Sequence, residues 1–161
     1  MIGFLRRLFT GRMPAVANAG PRDARDIAAL HGSSFRRGWS DSEVERLLAE
    51  RNVLAHVARN GRLVAGFIMS RTAADEAEIL SVAVDDVWRG HGIARELLTT
   101  HLRRLAGLGA RKVFLEVDEG NTAAIRLYRR AGFQDVSRRE NYYPAVDGAA
   151  AAALILRRDL A

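Results

Sequence analysis

Residues 76–98, EAEILSVAVDDVWRGHGIARELL, constrain this chain more than any other stretch. An apolar, β-rich run through Ile79, Val82 and Val84 gives way, across Gly90 and Gly92, to apolar residues at helical spacing. A strand therefore turns through a bare-backbone loop straight into a helix. The alternation continues with a helix from about His91 to Leu108 ended by Gly109, a strand at KVFLEV, and a helix at NTAAIRLYRRAG ended by Gly132. The middle of the chain is expected to be a βαβα unit.

The flanks supply the rest of a sheet. PAVANAGPRD reads as a short strand and a Gly-Pro turn, followed by a helix carrying Ile27, Ala28, Leu30 and His31. Ser40 and Glu43 stand at capping-box spacing ahead of Val44, Leu47 and Leu48, which starts a second helix. Residues 53–59 and 62–70 are apolar runs joined by Asn60-Gly61, a two-residue hairpin signal. Two more strands are expected near 133–142 and 151–157. The fold class is α+β, one domain with a central mixed, mostly antiparallel sheet flanked by helices.

At 161 residues and 48% hydrophobic content, the chain is long enough for one domain with a normal core. MIGFLRRLFTGRM interrupts its only apolar stretch with Arg6 and Arg7, so it lacks the continuous core of a secretory signal and is too short to span a bilayer. Residues 1–12 are read as an N-terminal extension, either amphipathic through Ile2, Leu5, Leu8 and Phe9 or disordered, and 13–161 as the domain. The expected location is cytoplasmic. With no cysteine, disulfides, thiolate metal sites and a cysteine nucleophile are excluded, and no set of His, Asp and Glu has metal-ligand spacing. The net charge of +6 is almost entirely arginine, Lys112 being the single lysine. Those arginines are scattered or paired rather than massed, which argues against specific DNA binding as the main task.

The glycine loop is an anion cradle. The first N–H groups of a helix have no intrahelical partners, and Gly90 and Gly92 let a ligand approach the main chain closely. Aligned amides and the helix dipole favour phosphate there. A Rossmann loop would need a glycine where Arg95 stands, and a Walker loop needs a Gly-Lys-Ser/Thr that is absent. A tight strand-to-helix turn that merely uses glycine is the plain structural reading.

Taken with FLEVDEGNTAAIRLYRRAGF some thirty residues later, the order Arg89-Gly90-His91-Gly92-Ile93-Ala94 resembles the GCN5-related N-acetyltransferase superfamily. LEV, N-x-x-A-I-x-L-Y and NYYP followed by DG look most like the bacterial ribosomal-protein alanine N-acetyltransferases. The resemblance covers roughly residues 15–158. It implies acetyl-CoA as co-substrate and no metal. Its pyrophosphate would sit on the amides of Arg89, Gly90, His91, Gly92, Ile93 and Ala94, its pantetheine arm would run along Val82, Ala83 and Val84, and Asn121 would meet that arm. Asn121 is also a good helix N-cap.

Direct acetyl transfer to an amine needs a neutral amine, a polarised thioester and a proton for the leaving thiolate. An α-amine with a pKa of about 7.7–8.0 loses its proton more easily than a lysine side chain near about 10.4, so a modest base suffices. Glu116, at the end of an apolar strand and where the resembled family's glutamate stands, is the expected base, directly or through a water. Glu78 is the rival carboxylate, and a surface ion pair is the plain reading of Glu116. Tyr128 is the expected proton donor to the thiolate, a core aromatic its plain reading. His91 is read as a loop residue.

The resemblance places the acceptor slot at Trp39, Tyr142 and Tyr143. Two departures fall there: SSFRRGWS differs from the family's proline-containing approach to the tryptophan, and alanines follow Asp147-Gly148 where acidic residues are common. The expected acceptor is a protein N-terminus, such as that of an alanine-starting ribosomal protein. A small amine or aminoacyl-tRNA, and a non-catalytic acyl-CoA module, are the alternatives. A monomer or weak dimer is expected.

Overall fold

The computed structural model describes residues 12–35, 37–146 and 149–160, with the backbone alone for 141–146 and 149–151. The expectation for the extension at 1–12 therefore lies almost wholly outside the described residues.

In chain order the elements are β1 (Ala15–Asn18), α1 (Ala24–Ser34), α2 (Asp41–Ala49), β2 (Val53–Asn60), β3 (Leu63–Ala73), β4 (Glu76–Val84), α3 (Ile93–Gly107), β5 (Lys112–Asp118), α4 (Thr122–Arg130), β6 (Gln134–Val146) and β7 (Ala149–Asp159). The seven strands form one sheet in the order β1-β2-β3-β4-β5-β7-β6. Among the described residues only β4 and β5 pair in parallel, as a crossover through a helix requires. The capping box is present: Ser40 Oγ accepts from Glu43 N at 3.1 Å, and Glu43 Oε2 accepts from Ser40 N at 2.8 Å. The third helix starts at Ile93 rather than His91, because Gly92 has φ +80° and cannot continue a right-handed helix.

The sheet is covered on both faces. α3 and α4 bury Leu97, Leu98, Leu105 and Ile125 against Ile68, Ile79, Val113 and Leu115. α1 and α2 bury Ile27, Leu30 and Val44 against Val57, Phe67 and Met69 on the other face. Each such side chain contributes about 1.5–3 kcal/mol by leaving water, which is what holds the helices at the sheet.

One polar chain crosses the α3 interface. His56 Nδ1 and His101 Nδ1 lie 2.7 Å apart, and His101 Nε2 lies 2.6 Å from Ser70 Oγ. Burial pushes His101 down to about 3, helped by the charge His56 would carry. Burial also lowers His56, with Arg104 adding to the effect. Both rings are therefore neutral core members.

Candidate active site

β4 and β5 stay paired only from Glu76↔Lys112 to Ile79↔Leu115. Beyond that point β5 continues along β7 through Glu116↔Ile155 and Val117↔Leu154, while β4 continues along β3 through Val82↔Ile68, Ala83↔Phe67 and Val84↔Gly66. Leu80 is the extra residue of a bulge between Ser70↔Ile79 and Met69↔Ser81. The two central strands thus part, and no described strand pairs with residues 80–84 on the β5 side. A cleft opens there, its β4 edge carrying the peptide groups of Val82, Ala83 and Val84.

The loop at the end of β4 is built to expose backbone. Asp85 accepts from Val87 N at 3.0 Å and caps a short 3-10 turn whose Trp88 is buried. Arg89 pairs with Asp86 at 2.9 Å, and its Nε reaches Val84 O at 3.4 Å. His91 Nδ1–H donates to the carbonyls of Trp88 and Arg89 at 3.1 and 3.0 Å, which ties the ring to its own loop. Gly90 and Gly92 both have φ +80°, and a Cβ on either would meet no atom within 4 Å. Their positive φ is what calls for glycine, and the space outside the loop is left open to the main chain.

Three helix starts make an internal comparison. α2 is capped by Ser40, and α4 by Asn121, whose Oδ1 accepts from Ala124 N at 3.2 Å. α3 has no side-chain cap. Beside that helix start runs a groove of about 980 Å³ between α3 and α4, lined by Gly90, Gly92, Arg95, Arg103, Arg126 and Arg130 among others.

The two chemistry-bearing side chains come from opposite faces of the sheet. Leu115 and Val117 pack under α3 and α4, so Glu116 projects to the α1/α2 face, where Arg139 Nη1 of β6 lies 3.1 Å from its Oε1. The ion pair foreseen as the plain reading of Glu116 exists. Glu78 shares that face but sits where β4 is still paired, opposite Phe114. Tyr128 of α4 is 8% exposed, edge-on to Phe133, with no hydrogen-bond partner for its hydroxyl among the described residues. Burial pushes its phenol up to about 12. Such a group keeps its proton until strong negative charge develops beside it.

Trp39 stacks on His31 at 3.9 Å between ring centroids, and its backbone N–H donates to His31 Nδ1 at 3.0 Å. Burial lowers His31 to about 4, which keeps that nitrogen an acceptor. Tyr142 and Tyr143 lie on β6, Tyr143 in register with Ala151, and their side chains fall outside the described residues. Sequence reading missed Arg139 beside Glu116 and Ser81, whose buried Oγ has no partner among the described residues. It also missed the arginine-lined groove, although the i, i+4 spacing of Arg126 and Arg130 signalled one shared helix face.

Comparison with known proteins agrees with this architecture. Residues 24–133 match the model of the Acetyltransferase (GNAT) family. Over 110 residues, 68% of this chain and 74% of the relative, the sequence is 34% identical to the ribosomal protein bS18-alanine N-acetyltransferase of Escherichia coli (strain K12). The crystal structure of the ribosomal-protein-S18-alanine N-acetyltransferase from Escherichia coli superposes with a TM-score of 0.85 at 26% identity, covering 92% of this chain and 95% of that one. Arabidopsis thaliana NAA60 in complex with acetyl-CoA shares the fold, with a TM-score of 0.77 at 20% identity over 91% and 98% of the two chains. By family match, sequence identity and fold, this chain belongs to the GNAT acetyltransferase family and is an N-acetyltransferase.

Proposed function

We propose that this enzyme uses acetyl-CoA to acetylate the N-terminal α-amine of a protein, such as an alanine-starting ribosomal protein. The observation that carries the donor assignment is the uncapped N-terminus of α3, opened by Gly90 and Gly92 at the point where β4 and β5 part. The residues present fit the co-substrate: free amides for a pyrophosphate, a strand edge at Val82, Ala83 and Val84 for an amide-bearing arm, and Asn121 at the start of α4. Acetyl-CoA, when bound, supplies the acetyl group as a thioester.

The chain's own groups do the rest. Amides from Arg89 to Ala94 hold the phosphates with no lysine required. Glu116 takes the proton of the acceptor amine, with Arg139 fixing the carboxylate across two strands. Tyr128 donates its phenolic hydrogen towards the departing sulfur, and its burial keeps that hydrogen in place beforehand. Trp39, Tyr142 and Tyr143 form the acceptor slot. The bacterial relatives' names support a ribosomal-protein terminus as the acceptor. Mass spectrometry of protein N-termini from cells with and without the gene tests this reading, and an unchanged set of acetylated termini would refute it.

A further inference from the structure

His31 grips the loop between α1 and α2 in three ways. Its carbonyl accepts from Phe35 N at 3.0 Å. Its ring stacks on Phe35 at 4.5 Å and on Trp39 at 3.9 Å between centroids. Its Nδ1 accepts from the Trp39 backbone N–H at 3.0 Å. Close packing reinforces the grip: a Cβ on Gly38 would come within 2.8 Å of Gly32 Cα, so the chain just before Trp39 lies directly on α1.

The core does not call for an imidazole here. His31 ends the buried stripe Ala24, Ile27, Ala28 and His31 of α1, where an apolar side chain would pack without the cost of burying polar atoms. Burial keeps the ring neutral, so Nδ1 stays an acceptor for the loop. Residues 37–39 belong to no helix or strand, so no backbone ladder fixes the indole that they carry. Trp39 is half-buried and also lines a groove of about 420 Å³ with Leu47 of α2, so it is held without being enclosed. We propose that His31 is a positioning residue for the acceptor: acting through Trp39, it sets one wall of the acceptor slot before a peptide arrives. This rests on the reading that Trp39 belongs to that slot. Ordering the loop beforehand removes that cost from the binding step.

A double-mutant cycle tests this. His31→Ala, Trp39→Ala and the double variant are assayed with an alanine-starting peptide, while calorimetry reads acetyl-CoA affinity and circular dichroism the fold. His31→Ala should raise peptide KM about three- to tenfold, with kcat and acetyl-CoA affinity near wild type. In the Trp39→Ala background the same change should add nothing. His31→Phe keeps a stacking ring but loses the acceptor nitrogen, and it carries the same expectation should the alanine variant fail to fold. An equal rise in KM in both backgrounds, or a matching loss of acetyl-CoA affinity, would make His31 a core residue and overturn the proposal. An unchanged KM in His31→Ala beside a raised one in Trp39→Ala would also overturn it, and would leave the acceptor reading standing. If Trp39→Ala leaves peptide KM unchanged, the acceptor reading of Trp39 falls and the proposal with it.

Discussion

Arg139 Nη1 lies 3.1 Å from Glu116 Oε1, so a β6 guanidinium holds the β5 carboxylate at the mouth of the cleft. The arginine is 53% exposed and the glutamate 25%, a setting in which an ion pair contributes only about 0–1 kcal/mol to stability. Orientation is the larger consequence. Glu116→Gln keeps size and polarity but cannot accept a proton, and should lower kcat by about 10²–10⁴ with acetyl-CoA affinity intact. Arg139→Ala should cost less activity than that and leave the melting temperature near wild type. If Glu116→Gln stays active and Glu78→Gln does not, the base is on β4.

Gly92→Glu should nearly abolish acetyl-CoA binding. At φ +80° the new side chain forces a left-handed residue, which costs roughly 1–2 kcal/mol. The fold has open space for it directly ahead of α3, where the proposed site has its pyrophosphate. Calorimetry should report lost affinity while circular dichroism stays native. Unchanged affinity would remove the loop from the donor site.

What could be read in the sequence was local. The strand-to-helix passage around Gly90 and Gly92, the Ser40/Glu43 box, the Asn121 cap and the Asn60-Gly61 turn each depend on residues within a few positions. The site's wider geometry depends on sheet order instead. Arg139 reaches Glu116 because β7 inserts between β5 and β6, an arrangement that no periodicity in SRRENYY announces. Likewise, EILSVAV reads as one regular strand, yet its pairing partner changes and a bulge enters at Leu80. His101 falls on the buried face of α3 and shows its role only once β2 and β3 bring His56 and Ser70 to it.

Stability should fall as the pH drops below neutrality. His31, His56 and His101 are buried, with folded-state pKa values lowered from 6.5, to about 4 for His31 and about 3 for His101. Between 6.5 and those values the unfolded chain binds protons that the folded chain refuses, so the stability present above about 6.5 is lost as pH falls. Each histidine contributes up to about 1.4 kcal/mol per pH unit across its window. Urea midpoints measured from pH 7 to pH 4.5 should decline steadily, and a His101 variant retaining full folding should flatten the curve. A flat wild-type curve would mean that these rings are not held neutral.

Acceptor choice should depend on the Tyr142/Tyr143 stretch of β6 rather than on the catalytic pair. The NYYP segment stands apart from the donor-binding loop in sequence, and β6 is the strand that brings Arg139 to Glu116. An α-amine, with its pKa of about 7.7–8.0, offers a single carboxylate a far larger neutral fraction than a lysine near about 10.4. Alanine-starting peptides should therefore outrun internal-lysine peptides on the wild type. Tyr142→Ala and Tyr143→Ala should each raise peptide KM by the equivalent of about 1–3 kcal/mol, with a smaller change in kcat at saturation. A polyamine, which has no side chains to read, should respond to neither. Equal losses on all three acceptors would assign the tyrosines to the fold, and faster wild-type turnover of the polyamine would make a small amine the better acceptor.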